Sequence, residues 1–286
     1  MRRIGLFLTT LNLLGSGAWA EVEQIDKSKY SFFRPVPSKY LRDMTTDRPD
    51  KTESPFTIDP GHYQLEFDAA TWTYDRNKRD NTRTRSYTVF APNFRTGLTD
   101  KLEFDIAMTS FTSARTQDTQ TRKWSRQQGF DDTQLRFKYN FWGNEGKDSS
   151  AIAIMVFAKI PTNQDKLGNS SYDGGVIVPL KLNFTDKLAL TLMTEIDYQR
   201  GENVRRHIAN FVNAGSLGYE FSDKISGFIE LYAERSWERK SRWKVTLDMG
   251  GCYSLTDNIQ LDGGVYIGLS EKADNVTPFL GMSWRF

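Results

Sequence analysis

A twelve-stranded antiparallel β-barrel crossing a membrane, preceded by an irregular N-terminal segment, is the all-β fold class this sequence predicts. Three observations carry that expectation. From residue 61 onward polar and apolar residues alternate with a period of two, as in strands with one wet and one dry face. Short turns and longer polar connections alternate strictly between these segments. The last segment places Leu280, Met282, Trp284 and Phe286 at every second position and ends on Phe286.

Composition narrows the alternatives. With 286 residues, 26% of them charged, and no apolar run of ~18 residues, the chain holds no transmembrane helix of ordinary length. One Cys and two His exclude a disulfide framework and a Cys/His zinc site, so no metal and no cofactor is expected. The near balance of 38 basic and 36 acidic side chains argues against a nucleic-acid partner.

Residues 1–20 read as an export signal: Arg2 and Arg3, an apolar stretch from Ile4 to Leu14, and an Ala18-Trp19-Ala20 cleavage site. Removing those two arginines from the 38 basic groups leaves as many basic as the 36 acidic ones, so the exported chain is formally neutral. Residues 21–60 contain Pro35, Pro37, Pro49, Pro55 and Pro60 and no regular period. Two placements are open for this stretch. Asp47, Arg48 and Asp50, stiffened by neighbouring prolines, either fold back into the lumen as a plug or belong to a solvated periplasmic tail.

The barrel, residues 61–286, is read as strands near 61–74, 85–98, 101–112, 130–142, 150–160, 174–184, 187–199, 207–221, 224–237, 241–254, 258–270 and 275–286. Four turns repeat one pattern, at residues 97–102, 183–188, 220–225 and 254–259: an apolar residue, Ser or Thr, Asp, a polar residue, then a new apolar start. Their Ser/Thr and Asp side chains are expected to bond nearby backbone N–H groups. An even strand count with short turns at one end and long loops at the other is the outer-membrane pattern, with both termini on the periplasmic side. Pro179 removes a ladder donor in the sixth strand, which predicts a bulge there.

Alternation separates two faces; a soluble barrel would turn the apolar one inward, periodicity alone does not distinguish the two, and the aromatic residues named below favour the arrangement that follows. Leu102, Phe104, Ile106 and Met108, then Leu188, Leu190 and Leu192, then Ile259, Leu261, Val265, Ile267 and Leu269 face lipid. The lumen-lining candidates are Glu66, Asp68, Glu103, Asp105, Arg136, Lys138, Lys181, Glu195, Asp197, Glu230, Glu234, Lys244, Asp248 and Asp262. Their mixed signs fit cross-lumen bracing or opposed ladders along a wet pore, with bracing favoured. Phe141, Phe184, Phe221, Tyr253, Trp284 and Phe286 sit near the short turns, and Trp72, Tyr74, Tyr198, Trp237 and Trp243 near the long loops, as two interfacial girdles. The long connections are net basic, through Arg76, Arg83, Arg115, Arg126, Arg205 and others, and so suit outer-membrane lipid and lipopolysaccharide.

Thr46-Asp47-Arg48-Pro49-Asp50-Lys51-Thr52-Glu53-Ser54-Pro55-Phe56, then Gly61-His62-Tyr63-Gln64-Leu65-Glu66, resembles the phenol-degradation (meta-pathway) family of transporter-like outer-membrane β-barrel proteins. Lys159-Ile160-Pro161-Thr162 followed by Gly174-Gly175 and Pro179 is similar to the same family's mid-chain pattern. The resemblance spans residues 46–286. It implies a passive channel or transporter for small solutes, aromatic or apolar, in a Gram-negative outer membrane. It names no catalytic residue. The terminal Phe286 resembles the signal read by the barrel-assembly machinery.

Two other functions stay open. A structural or adhesive barrel would have its lumen closed by ion pairs. A lipid hydrolase would need a base, for which His62 and His207 are the candidates, neither with a catalytic neighbour motif; no enzyme is the expectation. Cys252 is read as a packed thiol on the inward face.

Overall fold

In the computed structural model, residues 25–168, 170–201, 204 and 206–286 are described. The export signal expected at 1–20 and Arg205 lie outside them. One antiparallel sheet is built from β1 (Tyr63–Asn77), β2 (Thr82–Gly97), β3 (Leu102–Ala107), β4 (Phe111–Asp118), β5 (Trp124–Gly129), β6 (Thr133–Trp142), β7 (Ser150–Ile160), β8 (Asp173–Asn183), β9 (Leu188–Arg200), β10 (His207–Ser222), β11 (Ile225–Ser236), β12 (Lys244–Thr256), β13 (Ile259–Gly268) and β14 (Val276–Arg285). β1 pairs with both β2 and β14, which closes the sheet. β3 and β4 are halves of one interrupted strand, as are β5 and β6, because β2 pairs with β3 below and β4 above. The barrel therefore has twelve staves.

Alternation survives as exposure. Along β9, Leu192, Ile196 and Tyr198 are exposed while Met193 and Asp197 are buried. Both sets of girdle aromatics face outward, for example Phe184, Phe221, Trp284 and Phe286 at one end and Trp72, Tyr198, Trp237 and Trp243 at the other. Closure brings Phe286 against Tyr63, ring centroids 5.9 Å apart. A buried apolar cluster of Met155, Ile177, Met193, Val212 and Ala214 lies on the inner face of β7 to β10.

The repeated turns work through the hydroxyl alone. Thr99 Oγ1 accepts from the backbone N–H of Leu102, Thr185 from Leu188, Ser222 from Ile225 and Thr256 from Asn258. The hydroxyl residue precedes the two central positions and so reaches the returning strand.

Two expectations need correction. The stretch 112–129 is a hairpin, β4 and β5, and the connection after β1 shrinks to residues 78–81. Both faces of these strands carry mostly polar side chains, so no apolar alternation marks them. Hydroxyl pairs across β2 and β4, Thr88–Thr112 at 2.9 Å and Thr84–Thr116 at 3.1 Å, join them instead. At Pro179 no bulge forms: β8 keeps one register against β9, and its pairing with β7 lapses between Ile152↔Leu180 and Met155↔Ile177. The missing donor removes rungs without adding a residue.

The staves also break together. Phe90 has a left-handed φ of 51°, and residues 108–110 and 130–132 interrupt the third and fourth staves beside it. Phe90, Met108 and Phe130 are exposed at this break.

Candidate functional site in the barrel lumen

Residues 42–60 run inside the barrel and touch its wall on many sides. At the short-turn end, Arg42 pairs with Asp59 at 3.3 Å, with Glu145 at 2.8 Å and with Asp100, while Lys27 reaches Asp59 at 3.0 Å. Burial alone would raise the Glu145 carboxyl, but Arg42 and Lys27 outweigh it and hold the group below the usual carboxylate range. Pro60 bridges Gly97 in parallel, and a Cβ on Gly97 would collide with the carbonyl oxygens of Ile58 and Asp59. That close approach is open only to glycine.

Further along, residues 47–53 cross the lumen. Asp47 accepts from Lys138 Nζ at 2.7 Å, and its N–H donates to Glu66. The Arg48 guanidinium joins Asp68 of β1 at 2.8 Å to Asp262 of β13 at 2.7 Å. Lys51 Nζ lies 2.9 Å from Asp248, and the Lys51 and Thr52 N–H groups donate to Glu230 at 3.0 and 2.9 Å. Glu53 pairs with Arg136 of β6 at 2.8 Å. Asp50 and Ser216 of β10 line one cavity. Asp47 and Glu53 thus reach β6, Arg48 reaches β1 and β13, and Lys51 and Thr52 reach β12 and β11.

The other lumen candidates are placed as follows. Glu103 accepts from Arg95 and from the Ile58 N–H. Asp197 accepts from Asn210 at 3.0 Å, and Glu234 from Tyr232 at 3.2 Å. Lys181 lies 5.2 Å from the Phe56 ring centroid. Glu195 is half-buried on the same face of β9 as Asp197, and Lys244 stands opposite Glu234 in the ladder. Asp105 is fully buried, and neither of its carboxylate oxygens has a hydrogen-bond partner. Oxygens of Asp47, Glu103 and Asp105 lie within 4.8 Å of one another. Arg95 and Lys138 already supply cationic charge there, at 3.3 and 2.7 Å from Asp47.

Sequence reasoning missed Arg95, the hub of this cluster. It is fully buried and spans Glu66 at 2.6 Å, Glu103 at 2.9 Å and Asp47. Its signal was present: Arg95 shares inward parity with Asn93, opposite Phe94. Lys51, Glu53, Arg42 and Asp59 were also missed, because a segment without a period offers no parity. Bracing between wall groups does occur around Arg95, but most partners come from residues 42–53 instead of the opposite wall.

Neither histidine is set up as a base. His62 Nε2 lies 2.6 Å from the Val36 carbonyl. His207 Nε2 is shared by the Tyr172 carbonyl at 2.9 Å, Ser171 Oγ at 3.1 Å and Asp173 at 3.3 Å. A Ser–His–Asp relay needs the serine and the carboxylate on different ring nitrogens.

Cavities flank the crossing segment. One of about 890 Å³ lies toward the short turns and is lined by Asp50, Thr52, Ser54, Phe56, Lys181 and Cys252 among others. Another of about 440 Å³ lies at the wall break, lined by Pro92, Met108, Asp132, Arg136 and Lys159. Arg136, at the edge of the second cavity, holds Glu53 of the crossing segment at 2.8 Å.

Residues 46–286 match the model of the family described as "Putative MetA-pathway of phenol degradation". The chain belongs to that family. A solved COG4313 outer membrane channel from Pseudomonas putida F1 is 14% identical, over 85% of this chain and 100% of that one, with a TM-score of 0.63. A KdgM porin in complex with disordered oligogalacturonate is 10% identical, over 78% of this chain and 99% of that one, at 0.51. Both likenesses are of fold. No curated protein matches the chain in sequence.

Proposed function

We propose that the protein is a passive outer-membrane channel for small solutes of the phenol class, with residues 46–56 as its plug. The observation that carries this reading is a cavity of about 890 Å³ lined by Asp50, Thr52, Ser54 and Phe56 of the crossing segment, while Arg136, which holds Glu53 of the same segment, lines a second cavity at the wall break. A solid structural barrel would have no need of such a volume against the segment that crosses its lumen. The family description and the outer-membrane channel fold support the same reading. The exposed Phe90, Met108 and Phe130 at the wall break suit a weakly polar aromatic arriving from the lipid side. Catalysis plays no part in it.

The chain is exported by a cleaved signal peptide, its short turns face the periplasm, and Phe286 is offered to the assembly machinery. Lipid and lipopolysaccharide surround the wall.

A second reading, a closed structural barrel, is favoured by the buried ion pairs of Asp47, Arg48 and Lys51. Liposome swelling separates the two. Cys252→Ser, Thr52→Cys and Glu230→Cys, joined by a short thiol cross-linker, should slow phenol-class uptake relative to the uncross-linked form. Uptake equal to empty liposomes in both forms would leave the structural barrel standing.

A further inference from the structure

Three arginines stand on one rung of the outer wall at the long-loop end. Tyr74 lies opposite Arg85, Arg85 opposite Arg115, and Arg115 opposite Arg126. Cross-strand partners share a face, and Tyr74 pairs with Val276, on the β14 row that carries the exposed Leu280. The rung therefore looks outward. One rung higher, Arg76 faces Arg83. Five guanidinium groups thus occupy a single face of β1, β2, β4 and β5.

Neighbouring strands lie ~4.8 Å apart, and like charges directly opposite are destabilising. Among the described residues none of the five forms an ion pair. Arg126 donates to Ser113 at 3.3 Å, and Arg83 Nε is shielded without an acceptor. The arrangement calls for an anion with several negative groups.

Its height says which anion. From Tyr63 in one girdle to Trp72 in the other, strand rise and tilt give about 23 Å, close to the ~25 Å apolar band of such barrels. The Tyr74–Arg85 rung is the next one up, at headgroup level. Directly beneath it the outer wall presents Tyr87, Val89 and Phe111, and Trp72 stacks on Tyr74 at 6.3 Å. A ligand here meets guanidinium groups above and apolar wall below. Resting on outer-membrane residence, we infer that Arg85, Arg115 and Arg126, with Arg76 and Arg83, form a docking site for a phosphorylated glycolipid of the outer leaflet, phosphates on the arginines and acyl chains along β2 and β4.

The test uses the full exported chain in detergent, with bisphosphorylated lipid A, its dephosphorylated form and soluble polygalacturonate as probes in native mass spectrometry. Wild type should hold bisphosphorylated lipid A at least tenfold more tightly than the dephosphorylated form. Arg85→Gln, Arg115→Gln and Arg126→Gln together should weaken it about 100-fold, at ~1 kcal/mol per basic group. The corresponding triple Lys variant should retain most binding, and unchanged heat-shifted gel mobility shows that each variant folds. Equal binding by the triple Gln variant, indifference to phosphate, or polygalacturonate bound as tightly as lipid A overturns the site. Absence of the protein from the outer-membrane fraction would instead overturn the residence on which the site rests.

Discussion

Replacing Arg48 by alanine should undock the crossing segment while leaving the barrel intact. Arg48 is the cation for both Asp68 and Asp262, and the Asp262 side chain is fully buried. Removing one partner of a buried ion pair costs ~3–5 kcal/mol, because the carboxylate left behind lies out of water. At ~1.4 kcal/mol per tenfold, the undocked population rises by about 100-fold or more. The wall hydrogen bonds are untouched, since Arg48 belongs to no strand. Planar-bilayer recordings should show longer and more frequent openings, and liposomes should swell faster in a small neutral solute. Adding Asp262→Asn removes the stranded charge and should return part of the docking, which a double-mutant cycle reads directly. If Arg48→Ala conducts like wild type while its heat-shifted gel mobility is unchanged, the segment is not what closes the lumen.

Other predictions use different parts of the site. Gly97→Ala should expel residues 58–60 from the β2 wall, because its methyl group meets backbone, and limited proteolysis should then cut within 42–60; resistance equal to wild type argues against that close packing. Glu145 is held below its usual range, so its contribution to docking is full above the free carboxyl's pKa and is lost as pH falls through the depressed docked value. Acid should therefore loosen residues 27–42 in hydrogen exchange, and Glu145→Gln should remove that part of the pH dependence. Phe286→Ala should weaken strand closure by about 1–2 kcal/mol, as expected for a half-exposed aromatic losing its stacking on Tyr63, seen as a lower temperature for the gel-mobility shift.

Much of the barrel is legible in the sequence because lipid enforces a period of two. Leu188, Leu190 and Leu192 can only share a face, and Glu195 and Asp197 follow on the other. The same rule fell silent where both faces carry mostly polar residues, so β4 and β5 read as loop and their arginine rung could not be seen. It fell silent again in residues 42–60, which have no period. There Asp47 and Arg48 could be singled out by charge and rigid prolines, but Glu53 and Arg42 could not.

The sequence by itself determined the twelve alternating segments, the polar and apolar face of each and the two aromatic girdles, since each follows from local alternation. Only the tertiary structure decided which charges meet. Arg48 reaches Asp262 across 214 positions of chain, and Arg85, Arg115 and Arg126 come into line only through strand register. Pairings over such distances are set by how the sheet closes and by how the segment crosses it, and no local pattern encodes either.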